Sequence, residues 1–340
     1  MKVIHIISNK VWGGGEQYVY DLARRLVSDG HEVELVARQI PSVWDKLKNL
    51  NVPLTPLTFN NLLKMQADVV HVHNFKDARK VAWARMSSGK KWKLVVTRHL
   101  VRQAKNGGLD RWLYKKIDRL VFVSELARKT FFSSGPRMDR NKTEVILNSI
   151  CPQAGGEAED LRKNLPEDTV VLMYHGRIAK EKGLEFLVRA MGKMKNLPVC
   201  LFILGTGDNG YRNALMTEIK ALGLDERVKF LGFKDNVIPY IGQCDIGVIP
   251  SVDPESSSLS CMEYMSVGKC VVTTDHGGQA EYVTNGENGI LVPPGDSDAL
   301  AEGIRTAMNQ RDGLGAKARA TFNERLSYSN FYSKIVSLYR

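Results

Sequence analysis

A chain of 340 residues exceeds what one hydrophobic core usually serves, so two domains are the first expectation. Its 43% hydrophobic and 25% charged content is ordinary for a globular protein, and no apolar run approaches the roughly 20 residues that would span a bilayer. The net charge of +11 is uneven: positions 1–150 hold 27 Lys and Arg against 13 Asp and Glu, and the remainder holds 21 against 24, so the two halves should meet different partners.

In chain order, "MKVIHIISNKVWGGGEQ" has a short apolar run and no small-residue cleavage site. It reads as a first strand, not a signal peptide. Glycines 13, 14 and 15 follow, then "EQYVYDLARRLVSDG", which has helical spacing and a C-terminal stop at Gly30. "HEVELVAR", "ADVVHVHN", "WKLVVTRH" and "RLVFVS" read as further strands with helical stretches between them. Such alternation implies a parallel sheet covered on both faces. A polar stretch from Asn148 to Thr169 reads as a linker. The alternation then restarts with "VVLMYHG", "VCLFILG", "VKFLGF", "DIGVIPS", "KCVVTT" and "GILVPP" as strands. "NERLSYSNFYSKIVSLYR" closes the sequence as an amphipathic helix. The expected fold is α/β: two Rossmann-like doubly wound domains facing a cleft, spanning 1–150 and 151–320, with 321–340 a helix packing back on the first. Five cysteines are scattered without a C-x-x-C, which argues against a disulfide framework or zinc site and fits a reducing cytoplasm.

Open parallel sheets bind ligands beyond the carboxyl ends of their strands, so residues just after strands carry the information. "VVLMYHGRIAKEKGLEFL" puts Arg177 and Lys182 in one such loop. They could clamp a diphosphate, or simply be solvated cations. "LGTGDNG" (Gly205, Gly207, Gly210) spells G-x-G-x-x-G, but it follows the second strand of its domain. The position where an acid is required offers only Lys234 and Asp235. Dinucleotide binding is therefore disfavoured, and a turn near a nucleotide phosphate, with Gly205 as a contact, is kept. Asp296 and Asp298 form D-x-D before a helical stretch, which suits a cap better than a metal pair. No bound metal is expected. In "PESSSLSCMEYMSVG", Glu255 precedes the capping serines 256–258 of a helix that closes at Gly268, and Glu263 is expected two turns inside it. The amides at that helix start suit a phosphate, with a carboxylate toward each end of an elongated ligand. The ordinary alternative is a capping Glu and an exposed helical Glu.

These pieces together resemble the retaining family-4 branch of the GT-B glycosyltransferases. The resemblance runs through G-R-x-x-x-E-K-G (176–183), L-G-x-G (204–207), V-x-F-L-G (228–232) and D-I-x-V-x-P-S (245–251). It continues through E-x7-E (255–263), G-G-x-x-E (277–281) and N-G-I-L-V-P-P-G-D (288–296). It implies that Arg177 and Lys182 clamp the donor diphosphate and that the amides of Ser258 and Leu259 bind its phosphates. Glu263 would hold the ribose and Glu255 the donor sugar, without a divalent metal. Three departures stand out: Ser256–Ser258 replace the usual x-F-G, Tyr264 replaces an alanine, and Cys270 replaces a proline. In the first half, Gly14 and Gly15 match a glycine loop that contacts donor phosphate, and His99 in "VVTRH" matches a T-x-H near the reacting centre. His71 and His73 in "HVHN" also end a strand and rank below His99.

The resemblance implies a metal-independent retaining transferase with Glu255, His99, Arg177 and Lys182 as catalytic candidates. It would use no cofactor beyond a nucleoside diphosphate sugar, and a glycan or lipid-linked acceptor in cell-surface polysaccharide, lipopolysaccharide or glycolipid synthesis. A nucleotide-sugar-binding protein without transferase activity and a nucleotide-sugar epimerase are the competing readings. Basic stretches interleaved with Trp83, Trp92, Trp112 and Tyr114 suit an anionic membrane surface at the inner face of the cell membrane, or a plain solvated face. No nucleic-acid module is evident.

Overall fold

In a computed structural model describing residues 1–152 and 155–340, the chain forms two units. One is Met1–Ile150 with Tyr328–Arg340, the other Cys151–Ser327. Gln153 and Ala154, within the expected linker, lie outside the described residues.

The first unit alternates strand and helix from its first residues. β1 (Lys2–Ile7), α1 (Gly14–Ser28), β2 (Glu32–Ala37), α2 (Pro41–Lys48) and β3 (Leu54–Pro56) come first. α3 (Phe59–Lys64), β4 (Val69–Val72), α4 (Phe75–Ser88) and β5 (Lys93–Arg98) follow. α5 (Gly108–Lys116), β6 (Arg119–Phe122), α6 (Glu125–Phe132) and β7 (Thr143–Val145) complete the series. The seven strands are parallel, in the order β3-β2-β1-β4-β5-β6-β7. Strand order reverses direction between β1 and β4, where a doubly wound sheet opens a crevice. Valines and isoleucines fill the strands because both faces are covered. One face packs α4, α5 and α6. The other packs α1 and the end of the chain.

The second unit repeats the plan. It begins with β8 (Val170–His175), α7 (Leu184–Gly192), β9 (Val199–Leu204), α8 (Asn209–Ala221), β10 (Val228–Gly232) and α9 (Ile238–Gln243). β11 (Ile246–Ile249), α10 (Leu259–Val267), β12 (Cys270–Thr274), β13 (Ile290–Val292) and α11 (Ser297–Arg325) follow. Its six parallel strands run β10-β9-β8-β11-β12-β13, with the reversal between β8 and β11.

The last element differs from the expected single helix over 321–340. α11 runs 29 residues to Arg325, and a separate α12 (Tyr328–Ser337) belongs to the first unit. Phe322 is buried and the Arg325 guanidinium donates to the Glu281 carbonyl, which keeps residues 321–325 with the second unit. Phe331, Tyr332, Ile335, Leu338 and Tyr339 join Tyr18, Val19 and Leu22 in the first unit's core. All five cysteines are free thiols.

Candidate functional site

In the second unit the loops after β8 and β11 are bonded together. Gly183 has φ +66°, and a Cβ there would lie 2.2 Å from the Pro250 carbonyl oxygen. Glycine alone lets the Lys180–Lys182 turn pack this close to the end of β11. The Val252 amide donates to the Glu181 carbonyl across the same seam, at 3.0 Å. Lys182 Nζ is thereby brought 3.0 Å from Glu255 Oε1, with side-chain exposures of 22% and 18%. The Ser251 hydroxyl donates to the same carboxylate oxygen. Arg177 lies further out, 64% exposed, with its guanidinium 2.5 Å from Glu181. The Tyr174 hydroxyl donates to the Arg177 carbonyl at 2.7 Å. Desolvation, reinforced by the nearby Glu255 charge, pushes the Tyr174 phenol well above its ordinary range.

Ser258 caps α10, its Oγ accepting from the Cys261 amide at 3.4 Å. The Tyr282 hydroxyl donates to the Ser258 carbonyl at 3.1 Å and fixes the approach to the helix. The first amides of α10, starting at Leu259, have no intrahelical acceptor and carry the positive end of the helix dipole. Glu255 sits three residues before the cap. Glu263 is the fifth residue of α10, little more than one turn inside rather than two, because Ser256–Ser258 precede the helix instead of joining it. Its Oε2 accepts from His175 Nε2 at 2.6 Å, and His175 Nδ1 lies 2.8 Å from the Tyr264 hydroxyl.

The G-x-G glycines have a packing reason. A Cβ on Gly205 would stand 1.9 Å from the Gly176 carbonyl oxygen, and one on Gly207 2.0 Å from that of Ile178. They let the loops after β8 and β9 touch. Asp208 of the same motif caps α8, accepting from the Tyr211 amide at 2.6 Å. Asp296 caps α11 by accepting from the Asp298 and Ala299 amides at 2.9 Å, and Asp298 pairs with Lys193 at 2.6 Å.

In the first unit, Gly13 caps α1, so Gly14 and Gly15 are its first two residues and their amides lack intrahelical acceptors. The buried Glu16 carboxylate folds back to accept from the Gly13 amide at 3.1 Å and from the Asn9 side chain. Desolvation raises its pKa above the ordinary carboxylate value, against those two bonds. His99 follows β5 and meets the Tyr18 ring edge-on at 4.9 Å, with His73 5.8 Å away. Desolvation holds the His99 imidazole down at about 4 and His5 at about 3; it also holds His71 and His73 well below the ordinary histidine range.

Sequence reasoning missed His5, which pairs with His71 across β1 and β4. Its signal was a lone polar residue inside "KVIHIIS". His71 donates or accepts at both nitrogens, to Tyr339 and Thr97, each at 2.7 Å. His5 Nδ1 lies 3.3 Å from His73 Nε2. The three rings place ligand atoms within 4.8 Å of one another, but a cation there would have to displace one of His71's two partners.

Two family models cover the chain. "Glycosyl transferases group 1" matches residues 157–326, and "Glycosyltransferase Family 4" matches residues 12–153. An uncharacterized glycosyltransferase of Methanocaldococcus jannaschii is 25% identical over 97% of this chain and 95% of its own length. The lipopolysaccharide 1,2-N-acetylglucosaminetransferase of Salmonella typhimurium is 24% identical over 63% of this chain and 60% of its own. Among solved structures, Anabaena HepE in complex with UDP superposes with a TM-score of 0.88 at 22% identity, covering 99% of both chains. A complex of the same protein with UDP-glucose gives 0.84 at 21% identity, covering 99% of this chain and 98% of that one. A glycosyltransferase from Rickettsia africae gives 0.87 at 20% identity, over 99% and 97%. The chain belongs to the group 1 glycosyltransferases, and its two parallel-sheet Rossmann-like units have the GT-B fold.

Proposed function

We propose that the protein moves a glycosyl group from a nucleoside diphosphate sugar to an acceptor hydroxyl, with retention at the anomeric carbon. The observation that carries this reading is the Lys182–Glu255 contact at the N-terminal end of α10. A cation, a carboxylate and unpaired amides meet there beyond the carboxyl ends of β8 and β11. Such a site suits an anion joined to a polyhydroxyl group.

As the glycosidic bond to phosphate breaks, positive charge develops on the sugar ring and negative charge on the diphosphate. Lys182, Arg177 and the amides of Ser258 and Leu259 stabilise the departing diphosphate. Glu255 accepts hydrogen bonds from the donor sugar, and Glu263 from the ribose. Glu255 is already shared by Lys182 and Ser251, which suits it to orienting hydroxyls rather than attacking carbon. The acceptor oxygen bonds to the anomeric carbon on the face the phosphate leaves, and its proton passes to the departing phosphate oxygen. Within the first unit taken by itself, His99 is neutral at physiological pH and suits orienting a hydroxyl, and the amides of Gly14 and Gly15 suit an anion. The lysine and arginine supply the charge that a divalent ion would otherwise bring, so transfer should proceed without one.

The UDP and UDP-glucose complexes of the Anabaena neighbour make uridine diphosphate sugars the first donors to try. The Salmonella relative supports a glycan or lipid-linked acceptor of the cell surface. Among the described residues no helix is long and apolar enough to cross a membrane. Trp83 and Trp112 stack at 4.8 Å, with Trp83 46% exposed, and the same two helices carry the exposed cations Lys76, Arg111 and Lys115. This face supports peripheral contact with anionic lipid at the inner side of the cell membrane. A thermal-shift screen of nucleoside diphosphates and their sugars tests the donor reading, followed by an assay for nucleoside diphosphate release with acceptor. Binding without release would leave a non-catalytic binder. Sugar inversion without acceptor would make it an epimerase.

A further inference from the structure

We propose that His175 acts with Tyr264 as a positioning pair that holds the Glu263 carboxylate for the donor's ribose. The proposal rests on the donor reading above.

Three contacts meet at this point. His175 Nε2 lies 2.6 Å from Glu263 Oε2, His175 Nδ1 lies 2.8 Å from the Tyr264 oxygen, and that oxygen lies 2.8 Å from the Met173 carbonyl. The Tyr264 hydroxyl donates to the Met173 carbonyl, and the imidazole bridges that hydroxyl and the Glu263 carboxylate, one ring nitrogen to each. Desolvation, which pushes the Tyr264 phenol far above its ordinary range, keeps the hydroxyl protonated in that role.

The surroundings are shaped for this arrangement. Gly247 lies beneath the Tyr264 ring, where a Cβ would come within 2.4 Å of ring carbons. A side chain at 247 and a tyrosine at 264 exclude each other. Tyr264 is the position that departs from the alanine of the resembled family, so Gly247, Tyr264 and His175 form one interdependent set in this chain. The Ser260 hydroxyl donates to the His175 carbonyl at 3.1 Å, tying the first turn of α10 to the end of β8. The carboxylate is thus held from the side of His175. Among the described residues Glu263 Oε1 accepts no hydrogen bond, and the side chain is 26% exposed, leaving that oxygen for a ribose hydroxyl.

The test uses the full chain and the nucleoside diphosphate that gives the largest thermal shift, beside its 2′,3′-dideoxy counterpart. Calorimetric titration of the unaltered protein should show the ribose form binding at least tenfold tighter. His175→Ala should weaken the ribose form about tenfold, leave the dideoxy form within about twofold, and so abolish the preference. Tyr264→Phe should act in the same direction with a smaller loss. The ribose preference of the unaltered protein is a readout that does not depend on any variant folding. Equal weakening of both ligands by His175→Ala, or the absence of a ribose preference in the unaltered protein, overturns the proposal. If no nucleoside diphosphate binds the unaltered protein, the donor reading itself falls and this assignment with it.

Discussion

Lys182 and Glu255 meet because Gly183, next in sequence to the lysine, can take a left-handed backbone against the Pro250 carbonyl. The pair is therefore sensitive at three positions. Lys182→Ala and Glu255→Ala should each lower turnover at least tenfold, about 1.4 kcal/mol of transition-state stabilisation, with melting temperature nearly unchanged. Nucleoside diphosphate release and a melting curve on each purified variant check this; near-normal turnover would remove the residue from the site. Gly183→Ala should differ in kind. It should cost both stability and turnover, because the strained Cβ moves the turn itself. At this scale the sequence displayed Glu255, Glu263, Arg177 and Lys182 through their spacing. It did not display His175, Ser251 or Tyr339 as partners. His175 is 88 positions from Glu263 and Tyr339 is 268 from His71, and nothing local marks such pairs. Tyr264 was visible only as an unusual residue, without the glycine that accommodates it.

Among the elements, α12 has the widest influence. It closes one face of the first sheet and brings Tyr339 onto His71. Removing that hydroxyl leaves a buried imidazole nitrogen without its partner, a loss of about 1–3 kcal/mol. Tyr339→Phe should accordingly lower the urea midpoint of the first unit, seen as earlier exposure of its tryptophans. An unchanged midpoint would show that the nitrogen finds another partner. The strands that carry an apolar run were legible, five in the first unit and six in the second. β3 and β7 were not: their residues, Leu-Thr-Pro and Thr-Glu-Val, carry no apolar run of the kind that marks the equally short β13. Both are edge strands, and Pro56 at the end of β3 adds a breaker that only an edge tolerates. The division between α11 and α12 was also hidden, since neither Gly nor Pro marks the break at Leu326 and Ser327.

For the molecule as a whole, pH and ions give separate handles. Desolvation depresses His5, His71, His73 and His99, so the unfolded chain binds more protons than the folded one below about pH 6.5. Stability from these groups is fully present above that value. It falls as pH drops toward the folded values, about 4 for His99 and about 3 for His5. Each histidine contributes a slope of up to about 1.4 kcal/mol per pH unit. Urea midpoints at pH 7 and pH 5 should differ clearly, and a flat profile would mean that the rings are better solvated than the structure indicates. Turnover should survive EDTA; a loss restored by magnesium or manganese would assign a metal to the site. The charge excess in residues 1–150 predicts sedimentation with anionic vesicles that weakens with salt and on Trp83→Ala, and not with neutral vesicles. Equal binding to both, or to neither, would reduce that face to a solvated surface.

Because α12 completes a core begun by β1 and α1, the ribosome must make all of Cys151–Ser327 before the first unit can close. At the usual pace of synthesis that interval is roughly 10–35 s. During it, Tyr18, Val19 and Leu22 wait for partners that do not yet exist. The earlier half of the nascent polypeptide is therefore the one that finishes last, with part of its apolar core bare in the meantime.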